Sequence, residues 1–216
     1  MKLPREALIL AAGKSSRMPT SLRPKVLLKI KGLTLLQRHF KGLKSLGVKR
    51  FVVVVGYEKE KVKRYLKSLE YDIEIMENEK INKGNAYSVF LGIQKLKKDN
   101  FFLVMGDHLF DYFQFKQKIF GKIKKVEAPL VVFVDKSPLY MKPEWCTKVR
   151  LKKGKVDGWG KKLRKFDGID MGIFVVQLNL LKQIKRTLKK EKEWNKVIRV
   201  ITKYERVEAI EVDSIP

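Results

Sequence analysis

The stretch Glu6–Leu28, EALILAAGKSSRMPTSLRPKVLL, decides the fold. Its apolar run, residues 7–10, is long enough for a buried strand and too short for a membrane-spanning helix. Three small residues follow at 11–13, and they let backbone amides approach a bulky ligand. After Glu6 the chain has no acidic residue until Glu58, but the loop carries four cations: Lys14, Arg17, Arg23 and Lys25. A strand that leads into a small-residue loop rich in cations predicts a phosphate-binding site.

The loop also carries a family resemblance. Its residues Leu10-Ala11-Ala12-Gly13, with Ser15, Arg17 and Met18, are followed by Pro24-Lys25-x-Leu27. This pattern resembles the signature loop of nucleotidyltransferases that join a nucleoside triphosphate to a sugar or polyol phosphate. The resemblance implies a Rossmann-like three-layer α/β/α fold, with a mainly parallel sheet and a small additional sheet on the acceptor side. It also implies that Leu10, Ala11, Ala12, Gly13 and Lys14 bind the nucleotide, and that Arg17 and Lys25 are catalytic cations at its phosphates.

Two competing nucleotide motifs are absent from the sequence. There is no G-x-x-x-x-G-K-[ST] segment, which disfavours ATPase chemistry of the P-loop type. There is also no G-x-G-x-x-G fingerprint of dinucleotide binding.

Length and composition predict one enzyme domain. A chain of 216 residues with 44% hydrophobic content can bury a sizeable core as one unit, residues 1–216. We expect a nucleotide-binding half at about 1–140 and an acceptor-binding half at about 141–216. The longest apolar runs, such as Phe51–Val55, are strand-sized, which predicts no transmembrane segment. The start MKLPRE lacks an apolar signal core, and the single Cys146 excludes an internal disulfide, so we expect a cytoplasmic protein.

The excess of basic residues is also compatible with a second class of protein. Lys and Arg number 49 against 23 acidic residues, a formal net charge of +26, which a basic nucleic-acid-binding protein could also have. However, the cations are spread along the chain and are mostly Lys, and apolar residues recur through 178–201 as in surface helices with a solvated Lys face. We therefore expect no nucleic-acid partner, although the positive field would attract a triphosphate. A Lys-rich surface is also typical of growth at high temperature.

The pattern of elements supports an α/β domain. Strand-like runs occur near 6–11, 51–55, 72–76, 101–105 and 130–135, and helical spacing lies between them at 35–46, 62–69 and 89–96. This alternation predicts a parallel sheet with helices on both faces. Gly47 is placed to end the first helix. From about residue 145 the alternation of strands and helices gives way to shorter predicted strands. These lie at 147–152, 156–163 and 169–176, with a turn at Lys153-Gly154.

Two acids are candidate Mg²⁺ ligands. Ligands in open α/β sheets bind at the carboxyl ends of the strands, and Asp107 follows the strand 101–105 and Gly106. A carboxylate there suits a hard cation, although a turn or helix-cap role stays open. The resemblance implies that Asp213 brings a second carboxylate from a late strand, the alternative being a solvated acid. We give His108 a supporting role and assign no chemistry to His39.

A segment in the middle of the chain indicates a particular family of nucleotidyltransferases. The segment 78–88, NEKINKGNAYS, joins a strand to a helix and resembles the base-reading loop of CTP:inositol-1-phosphate cytidylyltransferases. This resemblance implies four further nucleotide-binding residues: Asn78, Gly84, Asn85 and Ser88. Two positions depart from the family pattern. Ala86 stands where a second glycine is usual, and Met171 where a hydroxyl residue is usual, so base and acceptor identity stay open.

The same resemblance predicts the reaction and the acceptor side. CMP would pass from CTP to inositol 1-phosphate, giving CDP-inositol and pyrophosphate with Mg²⁺. Lys148, also a catalytic candidate, and Lys161 would bind the acceptor phosphate, and Asp170 would accept hydrogen bonds from polyol hydroxyls. Solvated lysines and a turn aspartate are the alternatives. Another NTP with a sugar 1-phosphate or a phosphocholine-type acceptor stays open. In some relatives a membrane phosphatidyltransferase-like half is fused, so here we expect a separate partner enzyme.

Overall fold

The computed structural model describes residues 2–138, 142–188 and 190–213. The strands in these ranges are β1 (Glu6–Ala11), β2 (Lys29–Ile30), β3 (Leu33–Thr34), β4 (Arg50–Val55), β5 (Asp72–Glu77), β6 (Asn100–Met105), β7 (Leu130–Asp135), β8 (Lys148–Lys152), β9 (Lys155–Gly160), β10 (Gly168–Gln177) and β11 (Val207–Val212). The helices are α1 (Leu35–Ser45), α2 (Lys59–Lys67), α3 (Asn85–Ile93), α4 (Tyr112–Ile123), α5 (Leu181–Leu188) and α6 (Trp194–Ile201). The predicted boundary between the two halves, near residue 140, lies outside the described residues.

The α/β class predicted from the sequence is confirmed. The five expected strands are β1, β4, β5, β6 and β7, and each bound differs from the prediction by at most one residue. Gly47 ends α1 as predicted: its φ is +97°, and its N–H donates to the carbonyl of Lys44 over 3.0 Å. The Lys153-Gly154 turn joins β8 to β9, but β9 ends at Gly160, three residues before the predicted end of that strand.

One mixed sheet forms the middle layer of the molecule. Its strand order is β5-β4-β1-β6-β10-β7-β11-β9-β8. β1 is parallel to both β4 and β6, whereas β10 runs antiparallel between β6 and β7. The acceptor-side strands β8 and β9 are hydrogen-bonded to β10 and β11 at the far edge of this sheet. The separate small sheet is formed instead by β2 and β3.

Strand alternation divides the core between two helical layers. Ala7 and Ile9 face the cluster that contains the buried side chains of α1, α2 and α4, and Leu8 and Leu10 face the cluster of α3, α5 and α6. Each fully buried aliphatic side chain of this kind stabilises the fold by about 1.5–3 kcal/mol. Nowhere in the described ranges does a helix combine the length and the apolar character needed to cross a bilayer.

Helix α4 was not predicted from the sequence. Asp111 begins it, because its carboxylate accepts hydrogen bonds from the backbone N–H groups of Phe113 and Gln114. Its core-facing residues recur at helical spacing: Tyr112, Phe115, Ile119 and Ile123. Phe113 and Phe120 lie on the opposite, exposed face, so the helix is aromatic on both sides and its apolar period is obscured.

Gly42 provides a test of the α1–α4 contact. A Cβ added at Gly42 would overlap the ring of Tyr112. We predict that Gly42→Ala lowers the free energy of unfolding by about 1–3 kcal/mol, because overpacking outweighs the better helix propensity of alanine. Gly121→Ala is the matched control in α4: it meets nothing within 4 Å and should raise stability by about 0.5–1 kcal/mol. Urea denaturation of both variants checks this, and stabilisation by both would contradict the contact.

Candidate active site

The carboxyl ends of β1 and β6 are held unusually close together. The parallel register pairs Leu10 with Met105, and the N–H of the next residue, Gly106, donates to the carbonyl of Leu10 over 3.0 Å. A Cβ at Gly106 would lie 2.6 Å from that carbonyl oxygen, so only glycine fits. This contact fixes Asp107 beside the loop that leaves β1.

That loop is closed by its own residues. The Arg23 side chain donates to the carbonyls of Ser16 (2.8 Å) and Met18 (2.9 Å from Nε), and the Ser15 hydroxyl accepts from the N–H of Lys25 over 3.3 Å. At its start, the carbonyl of Ala12 accepts from the N–H of Tyr57 over 3.2 Å. Arg23, which the sequence suggested only as one of four cations, therefore acts as a brace for the loop.

The other cations of the loop are differently engaged. Lys25 lies with its Nζ 3.6 Å from the Asp107 carboxylate, and these side chains are 37% and 52% exposed. The Lys14 ammonium donates to the side-chain oxygen of Asn82 over 3.1 Å. Arg17 is exposed, and no hydrogen bond or ion pair engages its guanidinium within the described part of the chain. A cation and a carboxylate thus stand at the loop with exposed polar atoms.

Asn78 and Ser88 hold the 78–88 loop from inside. Asn78 is buried; its side-chain amide donates to the Ser88 hydroxyl over 2.8 Å, and its side-chain oxygen accepts from the N–H of Lys80 over 2.9 Å. Its own N–H donates to the carbonyl of Val55 over 2.7 Å. Both side chains therefore serve first to shape the loop.

Gly84 and Asn85 connect this loop to the late part of the chain. Gly84 has φ +82°, and a Cβ there would overlap the carbonyl oxygen of Lys192. The exposed Asn85 side chain accepts from the N–H of Trp194, the first residue of α6, over 2.7 Å. The role of Lys192 and Trp194 had no signal in the sequence, because the contact spans about a hundred residues.

A cavity of about 460 Å³ opens beside this loop. Gly56, Asn78 and Ile81 line one part of it, and the charged residues 58–61 and Glu79 line the rest. It therefore provides polar space next to Ala12, which packs on Gly56.

The predicted acceptor residues lie near Cys146. Cys146 is buried, and burial is the main cause of the raised pKa of its thiol. The charges of Asp170, Lys161 and Lys148 make smaller contributions to that pKa. Lys148, partly buried, lies with its ammonium 5.0 Å from the centre of the Phe166 ring, and Lys161 is exposed. Lys148, Lys161 and Asp170 thus lie near enough to Cys146 for their charges to act on its thiol.

Asp170 has an unusual environment for a carboxyl group. Its side chain accepts from the N–H of Gly172 over 2.8 Å, and the ring of His108 is held beside it by a 2.9 Å hydrogen bond to the carbonyl of Met171. Burial raises the pKa of Asp170 to about 6, although the Gly172 N–H and the charge of His108 act in the opposite direction. His108 thus has the supporting position that the sequence suggested.

The two predicted metal ligands follow strands that end at the same edge of the sheet. Asp213 directly follows β11, and β10 and β7 lie between β11 and β6, so the two strand axes are about 14 Å apart at the spacing of a sheet. Asp213 is exposed and lies near Lys136, which pairs with Glu211 over 2.8 Å. Among the residues described, no three His, Cys, Asp or Glu side chains form a metal cluster. Asp107 is an exposed hard oxygen donor beside the loop and fits a divalent cation, and Asp213 is a second exposed carboxylate at the same edge of the sheet.

His39 supports the Asp107 segment from the core. It is 1% exposed, and its Nδ1 shares a 2.8 Å hydrogen bond with the Tyr112 hydroxyl. Burial, with a smaller contribution from nearby His108, lowers the pKa of His39 to about 4, so the ring is neutral at pH 7. The backbone of Gly106 and His108 faces this ring. The sequence signal that could have indicated this role of His39 is the position of a polar residue on the core-facing stripe of α1.

Known proteins resemble this chain in sequence and in fold. The family model described as the MobA-like NTP transferase domain matches residues 7–168. The bifunctional IPC transferase and DIPP synthase of Aquifex aeolicus is 36% identical over 87% of this chain and 42% of its own length. The chain thus spans less than half the length of the curated relatives it matches most strongly.

Solved structures show the same fold. The inositol-1-phosphate CTP transferase from T. maritima superposes with a TM-score of 0.87 at 26% identity, covering 99% of this chain and 88% of that one. A UDP-glucose pyrophosphorylase complexed with UDP-glucose superposes with a TM-score of 0.78 at 16% identity, covering 98% and 91%, which shows the fold alone.

The raised pKa of Asp170 predicts a pH-dependent stability. The folded protein holds a proton that the unfolded chain has lost between about pH 4 and pH 6, so stability falls as pH rises through this window. Asp170→Asn keeps an acceptor for Gly172 and should raise the free energy of unfolding at pH 7 by on the order of 1–2 kcal/mol. Near pH 4 the gain should vanish. Urea denaturation at both pH values measures it.

Asp157→Asn is the control for this prediction. Asp157 is exposed and pairs with Arg150 over 2.8 Å, so its replacement should bring no gain at pH 7. An equal gain from Asp170→Asn at pH 4 and pH 7 would contradict the raised pKa of the Asp170 carboxyl.

Proposed function

The chain belongs to the MobA-like NTP transferase domain family, and from this membership we propose a specific reaction for it as a nucleotidyltransferase. It transfers CMP from CTP to inositol 1-phosphate and releases pyrophosphate, so that CDP-inositol is formed. The observation that carries this proposal is the Lys25–Asp107 pair, 3.6 Å apart at the end of the small-residue loop. Such a pair puts a cation and a metal-binding carboxylate where a triphosphate would lie.

The choice of substrates rests on the relatives. The T. maritima neighbour is named an inositol-1-phosphate CTP transferase and covers nearly the whole chain. The Aquifex aeolicus relative is named an IPC transferase for part of its length. The second candidate is a nucleotidyltransferase that uses another NTP with a sugar 1-phosphate or a phosphocholine-type acceptor; the family model, which names no base or acceptor, favours it equally well.

Different residues would contact the phosphates and the base of the nucleotide. The backbone of Leu10, Ala11, Ala12 and Gly13, with Lys14, would contact the triphosphate and ribose. Gly84 and Asn85 would meet the base at the loop that Asn78 and Ser88 hold in place. The cavity beside Gly56 provides the space for this end of the nucleotide.

The chemistry needs position and charge more than acid or base groups. An oxygen of the acceptor phosphate forms a bond to the α-phosphorus of CTP as the bond to the bridging oxygen breaks, and pyrophosphate leaves with that electron pair. Arg17 would hold the leaving β,γ-phosphates through its planar fork, and Lys25 would stabilise charge at the α-phosphate. The acceptor phosphate is already ionised near pH 7 and needs no general base.

A divalent metal accompanies this family's chemistry in general, and we propose Mg²⁺ here. Bound by Asp107, with Asp213 as the second proposed ligand, it would supply Lewis-acid stabilisation of the phosphate oxygens. Since Asp213 lies three strands from β6, Asp107 is the stronger of the two assignments.

The acceptor side would use the group around Cys146. Lys148 and Lys161 would carry the charge that offsets repulsion between two polyanions, and Lys148 would also act at the transition state. Asp170 offers its second carboxyl oxygen to polyol hydroxyls, because the first accepts from Gly172. We also propose that the chain is one domain with two halves and that it is located in the cytoplasm. We propose no nucleic-acid partner, and a separate membrane phosphatidyltransferase-like enzyme as the user of its product.

The reaction is tested by pairing all four NTPs with a panel of sugar and polyol phosphates in the presence of Mg²⁺. Release of pyrophosphate should be fastest for CTP with inositol 1-phosphate. A different preferred pair would favour the second candidate function. No turnover with any pair, together with tight and steeply salt-dependent binding of DNA or RNA, would favour the nucleic-acid-binding alternative.

Asp107→Ala should remove the metal ligand and leave the fold intact. We predict a loss of at least ~10²-fold in kcat, because charge stabilisation at the transition state is lost. The side chain is half exposed and supports little packing, so the melting temperature should change little. Asp157→Ala, which removes an exposed carboxylate away from the loop, is the control. Turnover near that of the unaltered enzyme would remove Asp107 from the site.

Substitutions of the cations at the two ends of the site should change different kinetic constants. Arg17→Ala and Lys25→Ala should reduce turnover with every acceptor, Lys25→Ala chiefly in kcat, because both act on the triphosphate. Lys161→Ala should chiefly raise KM for the acceptor, and Lys148→Ala should show both effects. Steady-state kinetics with each substrate varied in turn separates them. If the Lys148 and Lys161 variants lost CTP affinity but kept acceptor affinity, the acceptor side would be misassigned.

A further inference from the structure

The outer face of α4 carries two large apolar side chains in water. Phe113 is 70% exposed and Phe120 is 51% exposed, and Leu109 just before the helix is 48% exposed. Residues seven apart lie on the same face of a helix, about 10.5 Å apart along its axis. The opposite face is buried in the core through Phe115 and Ile119. The helix therefore presents a second apolar stripe that the described part of the chain does not cover.

The sequence around this stripe is strongly basic, with Asp111 before it and Glu127 after it as the flanking acids. Residues 112–126 contain five lysines and no acidic residue: Lys116, Lys118, Lys122, Lys124 and Lys125. The ammonium of Lys124 lies 4.9 Å from the centre of the Phe120 ring, so cation and ring form one surface. Asp111, the nearest acid before the helix, is occupied as its cap. We call this surface, made of Phe113, Phe120 and the lysines of 116–125, the α4 face.

Charge decides which partner suits the α4 face. A second copy of this chain would place five lysines against five lysines across a symmetric contact, on a protein whose formal net charge is already +26. A folded nucleic acid would satisfy the lysines, but its outer surface of phosphates gives two phenyl rings nothing apolar to enter. A bilayer with anionic lipids provides both, because phosphates lie at its surface and acyl chains directly below.

We propose that the α4 face docks this protein on the surface of an anionic membrane. Phe113 and Phe120 enter the boundary between headgroups and acyl chains, while Lys116, Lys118 and Lys125 contact lipid phosphates. α4 lies in the bilayer plane as a surface helix whose inner stripe stays packed on the sheet. Since α4 begins five residues after Asp107, at most about 17 Å of chain, docking holds the candidate active site close to the bilayer surface.

The test is flotation of the full chain with vesicles of phosphatidylcholine containing about 30% phosphatidylglycerol, compared with phosphatidylcholine alone. Binding should require the anionic lipid and weaken with salt. Phe113→Ser with Phe120→Ser should lower partitioning at least about tenfold. The matched control is Tyr204→Ser, which removes a side chain that is 73% exposed elsewhere and should change nothing. Circular dichroism and thermal melting confirm that each variant is folded.

A second comparison separates the α4 face from the general charge of the protein. Replacing Lys116, Lys118 and Lys125 by glutamine should lower partitioning at least about fivefold more than replacing the exposed Lys152, Lys155 and Lys203, although the net charge falls equally. Equal losses would overturn the proposal, as would binding that ignores the loss of both phenyl rings. Single-stranded DNA that binds tightly and requires Phe113 and Phe120 would also overturn it in favour of a nucleic-acid surface.

Discussion

The hydrogen bond from the N–H of Gly106 to the carbonyl of Leu10 is the contact on which the candidate site depends. It extends the pairing of β1 and β6 one residue beyond the strands, and it leaves no room for a side chain at position 106. Two segments nearly a hundred residues apart therefore leave the sheet side by side, one with the cations and the other with Asp107. The 3.6 Å separation of Lys25 and Asp107 follows from this backbone contact.

Charge pairing elsewhere in the molecule engages part of its acidic charge. Glu77 accepts hydrogen bonds from Lys59 and Lys63, which together hold its pKa at about 2, and Arg50 bridges Glu6 and Glu74. Much of the acidic charge near the nucleotide half is thus bound at the β4–β5 edge of the sheet. Asp107 is the exposed carboxylate beside Lys25 of the phosphate loop, and the exposed Glu58, Glu60 and Glu79 line the neighbouring cavity.

The sequence alone predicts the strands well and the contacts between distant residues poorly. Five strands were located, because four of them contain continuous apolar runs and β5 alternates apolar with polar residues. α4 was not predicted, because exposed Phe113 and Phe120 mask its period. The bracing by Arg23, the Asn78–Ser88 hydrogen bond and the support from His39 depend on which strands are neighbours. The spacing between Asp107 and Asp213 depends on β10 and β7 lying between them, which local patterns do not encode.

The central claim is that the phosphate loop and Asp107 form one site for a nucleotide with its metal. Titration of Mn²⁺ by electron paramagnetic resonance, with and without CTP, tests it most directly, with Asp107→Ala and Asp213→Ala beside the unaltered chain. The account predicts that CTP and Mn²⁺ strengthen each other's binding, and that Asp107→Ala lowers this coupling at least about tenfold. Coupling unchanged in Asp107→Ala and lost in Asp213→Ala would contradict it and move the metal to the β11 end of the sheet.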